Sequence, residues 1–168
     1  METPLCSICL ESDDILCTGC QQKIDDGEME EVAVEVSRLL FDLSQDIPTL
    51  EDVEVKEVRR TEEAIVVITA AGDGPKVVGK NGEVVKELAD EFDRSIRVVE
   101  DSGKPQEVIE NLLEPVDLQG INTVYKPDGT EQKIVVDEDD KRRVPMTTDE
   151  FEDIVEQLTG ESYILSFE

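Results

Sequence analysis

Residues 70–92 read AAGDGPKVVGKNGEVVKELADEF, and four glycines with one proline set the punctuation of this stretch. Asp73 or Gly74 can cap a helix and Pro75 suits its first turn, which predicts a short helix over residues 75–78. Gly79 and Gly82 interrupt it, and Val84, Val85, Leu88 and Phe92 then recur at helical spacing through residue 92. Ile96, Val98 and Val99 return the pattern to strand over residues 95–100. Upstream, residues 53–60 and the β-branched run 64–70 read as two strands joined by a polar turn, so the pair is most simply antiparallel. Before them, Met29, Val32, Val36, Leu39, Leu40 and Leu43 describe an amphipathic helix over residues 27–45, with Pro48 just beyond its end. The expected order is α-β-β-α-α-β.

In that order, the segment Gly79-Lys80-Asn81-Gly82 resembles the Gly-x-x-Gly loop of the KH domain, in the arrangement found in NusA-like transcription factors. Glycines at both ends let backbone approach a single strand, while amides at a following helix N-terminus favour phosphate. Lys80 adds a positive charge. The resemblance implies that Lys76, Val77, Val78 and Lys80 line one wall of an RNA groove, with Arg97 reaching it from the third strand. An ordinary helix-helix turn is the plainer reading of two glycines, and the flanking apolar pairs and strands argue for the KH reading. From Lys76 to Arg97, five bases meet five acids, so this window is neutral within a strongly acidic chain.

The remaining chain repeats the pattern. A helix is expected over residues 107–113, strands over 116–125 and 132–136 around a turn at 126–130, a helix over 147–158 ending at Gly160, and a strand over 163–167. This implies a second, degenerate KH-like module, because Lys141-Arg142-Arg143-Val144-Pro145-Met146 stands where the glycine loop would be. The basic triplet reads equally as a contact cluster or as a helix end behind the acids at 137–140. Over residues 46–168 the chain resembles archaeal NusA-like proteins with tandem KH modules, including the junction from residues 96–100 into 108–115.

That resemblance does not cover Cys6, Cys9, Cys17 and Cys20, which form two Cys-x-x-Cys pairs separated by seven residues. Two such turns present four thiolates to one tetrahedral ion, and four thiolates leave no open position, so one structural Zn2+ in a knuckle or ribbon is expected. Disulfides would need an oxidising compartment, thioredoxin-type chemistry would need a helix in a βαβ setting, and iron also accepts four cysteines.

The 168 residues carry 43 acids and 16 bases, a net charge of −27, with 38% hydrophobic and only 4% aromatic residues. Cores must therefore be aliphatic. Acid excess runs along the whole chain: eleven acids to two bases in residues 1–45, fifteen to nine in 46–104, and seventeen to five in 105–168. Such even spreading reads as a surface adapted to a salty, archaeal-type, halophilic cytoplasm, where self-repulsion is screened over ~3 Å at molar salt. No apolar run approaches the ~20 residues that span a bilayer, and the start lacks a signal-like pattern, so a soluble, unsecreted protein without membrane contact is expected. With no histidine and no phosphate-binding Gly-x-x-x-x-Gly-Lys motif, neither an enzyme nor a small-molecule substrate is expected.

The chain thus reads as α+β: a cysteine segment at 1–26, a first KH-like domain at 27–104 and a second at 105–168. The expected function is an RNA-binding factor holding single-stranded RNA, in transcription elongation or termination or related RNA metabolism. RNA polymerase and the ribosome are its candidate protein partners. The rival is a zinc-dependent interaction adaptor that uses the KH folds as scaffold.

Overall fold

The computed structural model describes residues 1–144 and 146–168, so the Pro145 position of the basic stretch lies outside the described residues. The described chain is mixed α and β, with two three-stranded sheets in two compact units.

The first unit comprises Met1–Arg60 and Ala64–Glu100. Its elements are α1 (Ser7–Leu10), α2 (Thr18–Asp25), α3 (Glu31–Ser44), a 3-10 turn (Pro48–Leu50), β1 (Val55–Arg60), β2 (Ala64–Ala70), α4 (Gly74–Val78), a second 3-10 turn (Lys80–Gly82), α5 (Glu83–Phe92) and β3 (Ser95–Asp101). The sheet order is β1-β2-β3, and β1 runs antiparallel to β2 in the register Val58 to Val67. The β-branched run becomes the central strand and is buried from Ala64 through Thr69. Val36 and Leu40 of α3, Val55 and Val58 of β1, Ile65 and Val67 of β2, Val77 of α4, and Val84 and Leu88 of α5 close one aliphatic core.

Leu5, Cys9, Leu10 and Cys20 belong to that same core, so residues 1–26 are built into the first unit. Polar ties reinforce the packing. Arg38 Nε donates to the Cys9 carbonyl at 3.0 Å and Arg38 Nη2 to the Asp14 carbonyl at 2.8 Å. At the outer edge of β1, Glu2 N–H donates to the Val53 carbonyl at 2.9 Å and Val55 N–H to the Glu2 carbonyl at 2.7 Å.

One expectation needs correction here, and one pair of alternatives narrows. The helix predicted over residues 27–45 begins only at Glu31, because Gly27 takes φ +77° and the Glu28 and Met29 amides turn back onto the Lys23 carbonyl. Met29 still fills the core, but from the connection and not from a helix face. The cysteine segment is a helical knuckle; a ribbon would need a hairpin, and residues 1–26 hold two short helices and a single β-bridge residue.

The second unit comprises Thr61–Glu63 and Asp101–Glu168. Its elements are α6 (Pro105–Leu113), β4 (Leu118–Lys126), β5 (Gly129–Val136), a 3-10 helix (Glu138–Arg143), α7 (Thr148–Thr159) and β6 (Tyr163–Phe167). β5 is central, antiparallel to β4 and parallel to β6, with Ile134 opposite Leu165. The parallel pair requires a crossover, which α7 supplies. Val108, Ile109, Leu112, Ile134, Val136, Phe151 and Ile154 are buried in this unit. The β4–β5 hairpin is longer than predicted because its polar residues pair: Thr123 Oγ1 donates to Gln132 Oε1 at 3.2 Å, and Lys126 meets Glu131 in an ion pair.

Leu40 of α3 is fully buried in the core that also holds Leu5, Cys9, Leu10 and Cys20. Leu40→Ala should lower the stability of the first unit by about 2–5 kcal/mol, whereas exposed Glu35→Ala should stay within about 0.5 kcal/mol. Urea unfolding checks this, and in the Leu40 variant the buried Cys9 and Cys20 should become reactive to a thiol reagent in the same transition.

Candidate functional site

Cys6 and Cys17 are the N-cap residues of α1 and α2, a position that aims a side chain back at the amides of the first helical turn. Cys9 N–H accordingly donates to Cys6 Sγ at 3.5 Å, and Cys20 N–H to Cys17 Sγ at 3.4 Å. The two halves then cross over. Cys17 N–H donates to Cys9 Sγ at 3.2 Å and Cys6 N–H to Cys20 Sγ at 3.4 Å. Each of the four sulfurs thus receives one amide from another cysteine of the set, closing a ring of four N–H···S bonds.

All four Sγ atoms lie within 4.8 Å of one another, and Cys6 Sγ is 3.8 Å from Cys17 Sγ. A tetrahedron with metal–sulfur bonds of ~2.3 Å has sulfur–sulfur edges of ~3.8 Å, so the donor set fits one such ion. A disulfide would need ~2.05 Å, and all four thiols are free. Both pairs open helices, as a redox motif would, but α1 and α2 are not preceded by strands of a βαβ unit. The Cys9 amide holds the Cys6 thiol down at about 7, and the Cys20 amide lowers Cys17. Burial pushes Cys20 up to about 12; at Cys9 the Cys17 amide pulls down, but burial and the neighbouring sulfurs leave the thiol raised. Cys9 and Cys20 are each 2% exposed, while Cys6 and Cys17 face outward. Metal binding here would displace protons from the inner pair, and four thiolates around a divalent ion leave two net negative charges.

The second candidate site is the bend between α4 and α5. Gly79 adopts φ +83°, ψ 170°, a region open essentially to glycine alone. A Cβ there would meet Val84 Cγ2 at 2.7 Å and the Val84 backbone nitrogen at 2.9 Å. Asn81 and Gly82 follow in the left-handed region at φ 57° and 75°, and a Cβ on Gly82 would find only Val85 Cγ2 at 3.7 Å. Gly82 N–H donates to the Gly79 carbonyl at 3.1 Å and Glu83 N–H caps back to Lys80, so the bend consumes two of its own amides. Those of Lys80 and Asn81 have no backbone acceptor among the described residues, and both residues are exposed.

The groove residues expected from sequence divide. Lys80, Asn81 and the two glycines form the bend, Val78 is half-buried beside it, and Lys76 Nζ lies 3.4 Å from Asp73 Oδ1. Val77 is a correction: it is 0% exposed and packs with Val84 and Leu88 in the core, so it cannot line a groove. Arg97 shares a face of β3 with buried Val99, whereas Ile96 and Val98, on the other face, pack on the core that holds α4 and α5. By strand alternation its side chain leaves from the opposite face of β3. The Lys141–Arg143 triplet behaves as a helix end. Asp137 accepts the Asp139 amide, Arg143 pairs with Asp140 at 2.9 Å, and Lys141 sits 5.4 Å from the Phe167 ring centre.

Sequence reasoning missed three anchors. Arg38 was signalled only by being the sole base between Lys23 and Lys56. Glu100 Oε1 accepts the Gly74 amide at 3.0 Å, and Asp73 Oδ2 accepts the Glu54 amide at 2.9 Å; nothing in the spacing of either acid announces it.

Purified chain should hold one Zn2+, and a strong chelator should remove it with loss of the helical signal of residues 1–26; Cys9→Ser should bind no zinc under the same assay. Because the thiols must deprotonate, zinc affinity should fall as pH drops through about 7, where Cys6 takes up its proton. In the bend, Gly79→Ala should destabilise by about 2–3 kcal/mol, because a clash adds to the backbone strain, and Gly82→Ala by only about 1 kcal/mol, measured by urea unfolding. Equal costs would contradict the asymmetry between the two glycines.

No family model matches the chain. Sixty residues, 36% of this chain, are 33% identical to a protein of Methanococcus vannielii named "Probable transcription termination protein NusA". The match spans 35% of that protein's length. Among solved structures, the crystal structure of APE1850 is similar in fold, with a TM-score of 0.52 over 77% of this chain and 96% of that one at 20% identity.

Proposed function

We propose that this chain is a non-enzymatic RNA-binding factor of NusA-like type, built from a zinc knuckle at 1–26 and two KH-like modules at 27–104 and 105–168. Its setting is transcription elongation or termination, the second of which is the role in the name of the partly matching protein. The observation that carries the reading is the Gly79–Gly82 bend, where the exposed Lys80 and Asn81 amides stand with the Lys80 ammonium at the start of α5. A phosphate of single-stranded RNA fits there by charge and by the helix dipole, while half-buried Val78 and Val85 offer aliphatic surface to a base.

The α-β-β-α-α-β order of residues 31–101 supports the KH reading; the second unit follows the same order with a 3-10 helix in place of the middle α-helix, and it lacks glycines at the matching bend. Its capped basic helix supports a scaffold role, leaving the first module to bind. Glu83, the first residue of α5, competes with phosphate for the same dipole and sets a ceiling on affinity. The reading also places the protein in a salt-rich archaeal cytoplasm, and no helix among the described residues is long and apolar enough to cross a membrane.

The test is crosslinking to single-stranded RNA in molar KCl. Lys80→Asp combined with Asn81→Asp should cut RNA affinity by at least about tenfold, near 1.4 kcal/mol, with zinc content and thermal unfolding unchanged. Undiminished binding by the folded double variant would remove the bend from the site and leave the interaction-adaptor reading in its place.

A further inference from the structure

Ile8 and Ile15 are 76% and 94% exposed, although Leu5, Cys9, Leu10 and Cys20 around them fill the core. Ile8 immediately precedes Cys9, Ile15 stands two residues before Cys17, and the Cys17 amide bonds Cys9 Sγ at 3.2 Å. Both isoleucines therefore leave the backbone within two residues of one short hydrogen bond. The turn between them is fixed, because Arg38 holds the Cys9 and Asp14 carbonyls at 3.0 and 2.8 Å. Exposed Glu11, Asp13 and Asp14 lie on that turn, and residues 1–22 contain no lysine or arginine. Four thiolates around a divalent ion add negative charge beside them.

From this juxtaposition we infer that the outer face of the cysteine knuckle is a protein-docking surface, in which Ile8 and Ile15 enter an aliphatic pocket bordered by lysine or arginine on a partner protein. Charge selects that occupant. RNA and anionic lipid headgroups are repelled by the acids, a second copy brings the same three acids, and Arg38, the base that touches the turn, is committed to two of its carbonyls. The side chains have the makeup of an interface centre, rigidly presented apolar anchors inside a charged rim. A turn already tied down by Arg38 also loses little freedom on binding. The inference stands apart from the RNA reading, since it uses none of the residues of the α4–α5 bend.

The experiment places the photocrosslinking residue benzoylphenylalanine at Ile15, and separately at Ile8, in the full chain expressed in its source cells. Joined peptides are identified by mass spectrometry. Adducts should map to a protein segment where aliphatic side chains adjoin lysine or arginine. They should fall about tenfold when Asp13→Lys and Asp14→Lys are added, with zinc content and circular dichroism held at the parent values. Glu11→Lys, outside the Arg38-held carbonyls, is the second reversal variant and should give a fall in the same direction should the first lose its metal. The Lys80→Asp, Asn81→Asp chain should crosslink at Ile15 as the parent does, which separates this surface from the RNA site. Adducts to RNA, to a second copy or to a segment without bases would overturn the inference. So would the absence of adducts, or adducts indifferent to charge reversal in a folded variant.

Discussion

Between Val77 and Val84 the chain must leave one helix and enter another while both side chains stay at zero exposure in one core. Only a residue without a Cβ satisfies that demand at Gly79, since Val84's own backbone nitrogen occupies the space a side chain would need. The consequence reaches beyond the turn. Because α4 and α5 are pulled together underneath by Val77 and Val84, the connecting bend is pushed outward, and Lys80 and Asn81 have nowhere to turn except toward solvent. Exposure of the bend follows from the tightness of the packing beneath it.

The cysteine ring solves a different problem. A segment of some two dozen residues has too little apolar surface to offset its own ordering entropy, the condition in which small modules recruit a metal. Here it recruits two supports. Leu5 and Leu10 share the core of the first unit, and four peptide amides point at four sulfurs. Such amides stabilise thiolate over thiol, as the lowering at Cys6 and Cys17 records, whereas burial at Cys20 works against charge. The inner sulfurs are therefore the ones that gain most from a cation, and the outer ones are the ones already prepared for it.

How much of this was legible in sequence depends on whether the signal was local. The β-branched run 64–70, the Gly-Pro punctuation and the paired cysteines each report chemistry within a few residues, and each appears in place. The start of α3 did not, because Met29 obeys helical spacing while its amide bonds Lys23, a contact that periodicity cannot see. Val77 failed for a related reason. The loop motif marks it as adjacent to the bend, but which side of a five-residue helix faces the core is decided by Val84 and Leu88 across the fold. Arg97 likewise depends on strand parity, and the triplet Lys141–Arg143, whose neighbouring acids are plain in the sequence, on the Phe167 ring brought near by folding.

A chain with 43 acids invites the conclusion that nothing polyanionic binds it, yet net charge acts only within a Debye length, ~8 Å at physiological salt and ~3 Å at molar salt. What counts is the set of charges within reach of the ligand. At the bend that set is Lys80 against Glu83, with Lys76 already engaged by Asp73, so repulsion there is nearly cancelled. At the knuckle the set is Glu11, Asp13 and Asp14 against Arg38, whose guanidinium is tied to the Cys9 and Asp14 carbonyls, so negative charge is in excess there. The same acidic surface thus sorts partners by location: an anion is tolerated where α4 meets α5, and a cation is preferred beside the cysteines. Raising the salt narrows the range of both effects, so in a concentrated electrolyte contact geometry, not overall charge, governs what this protein holds.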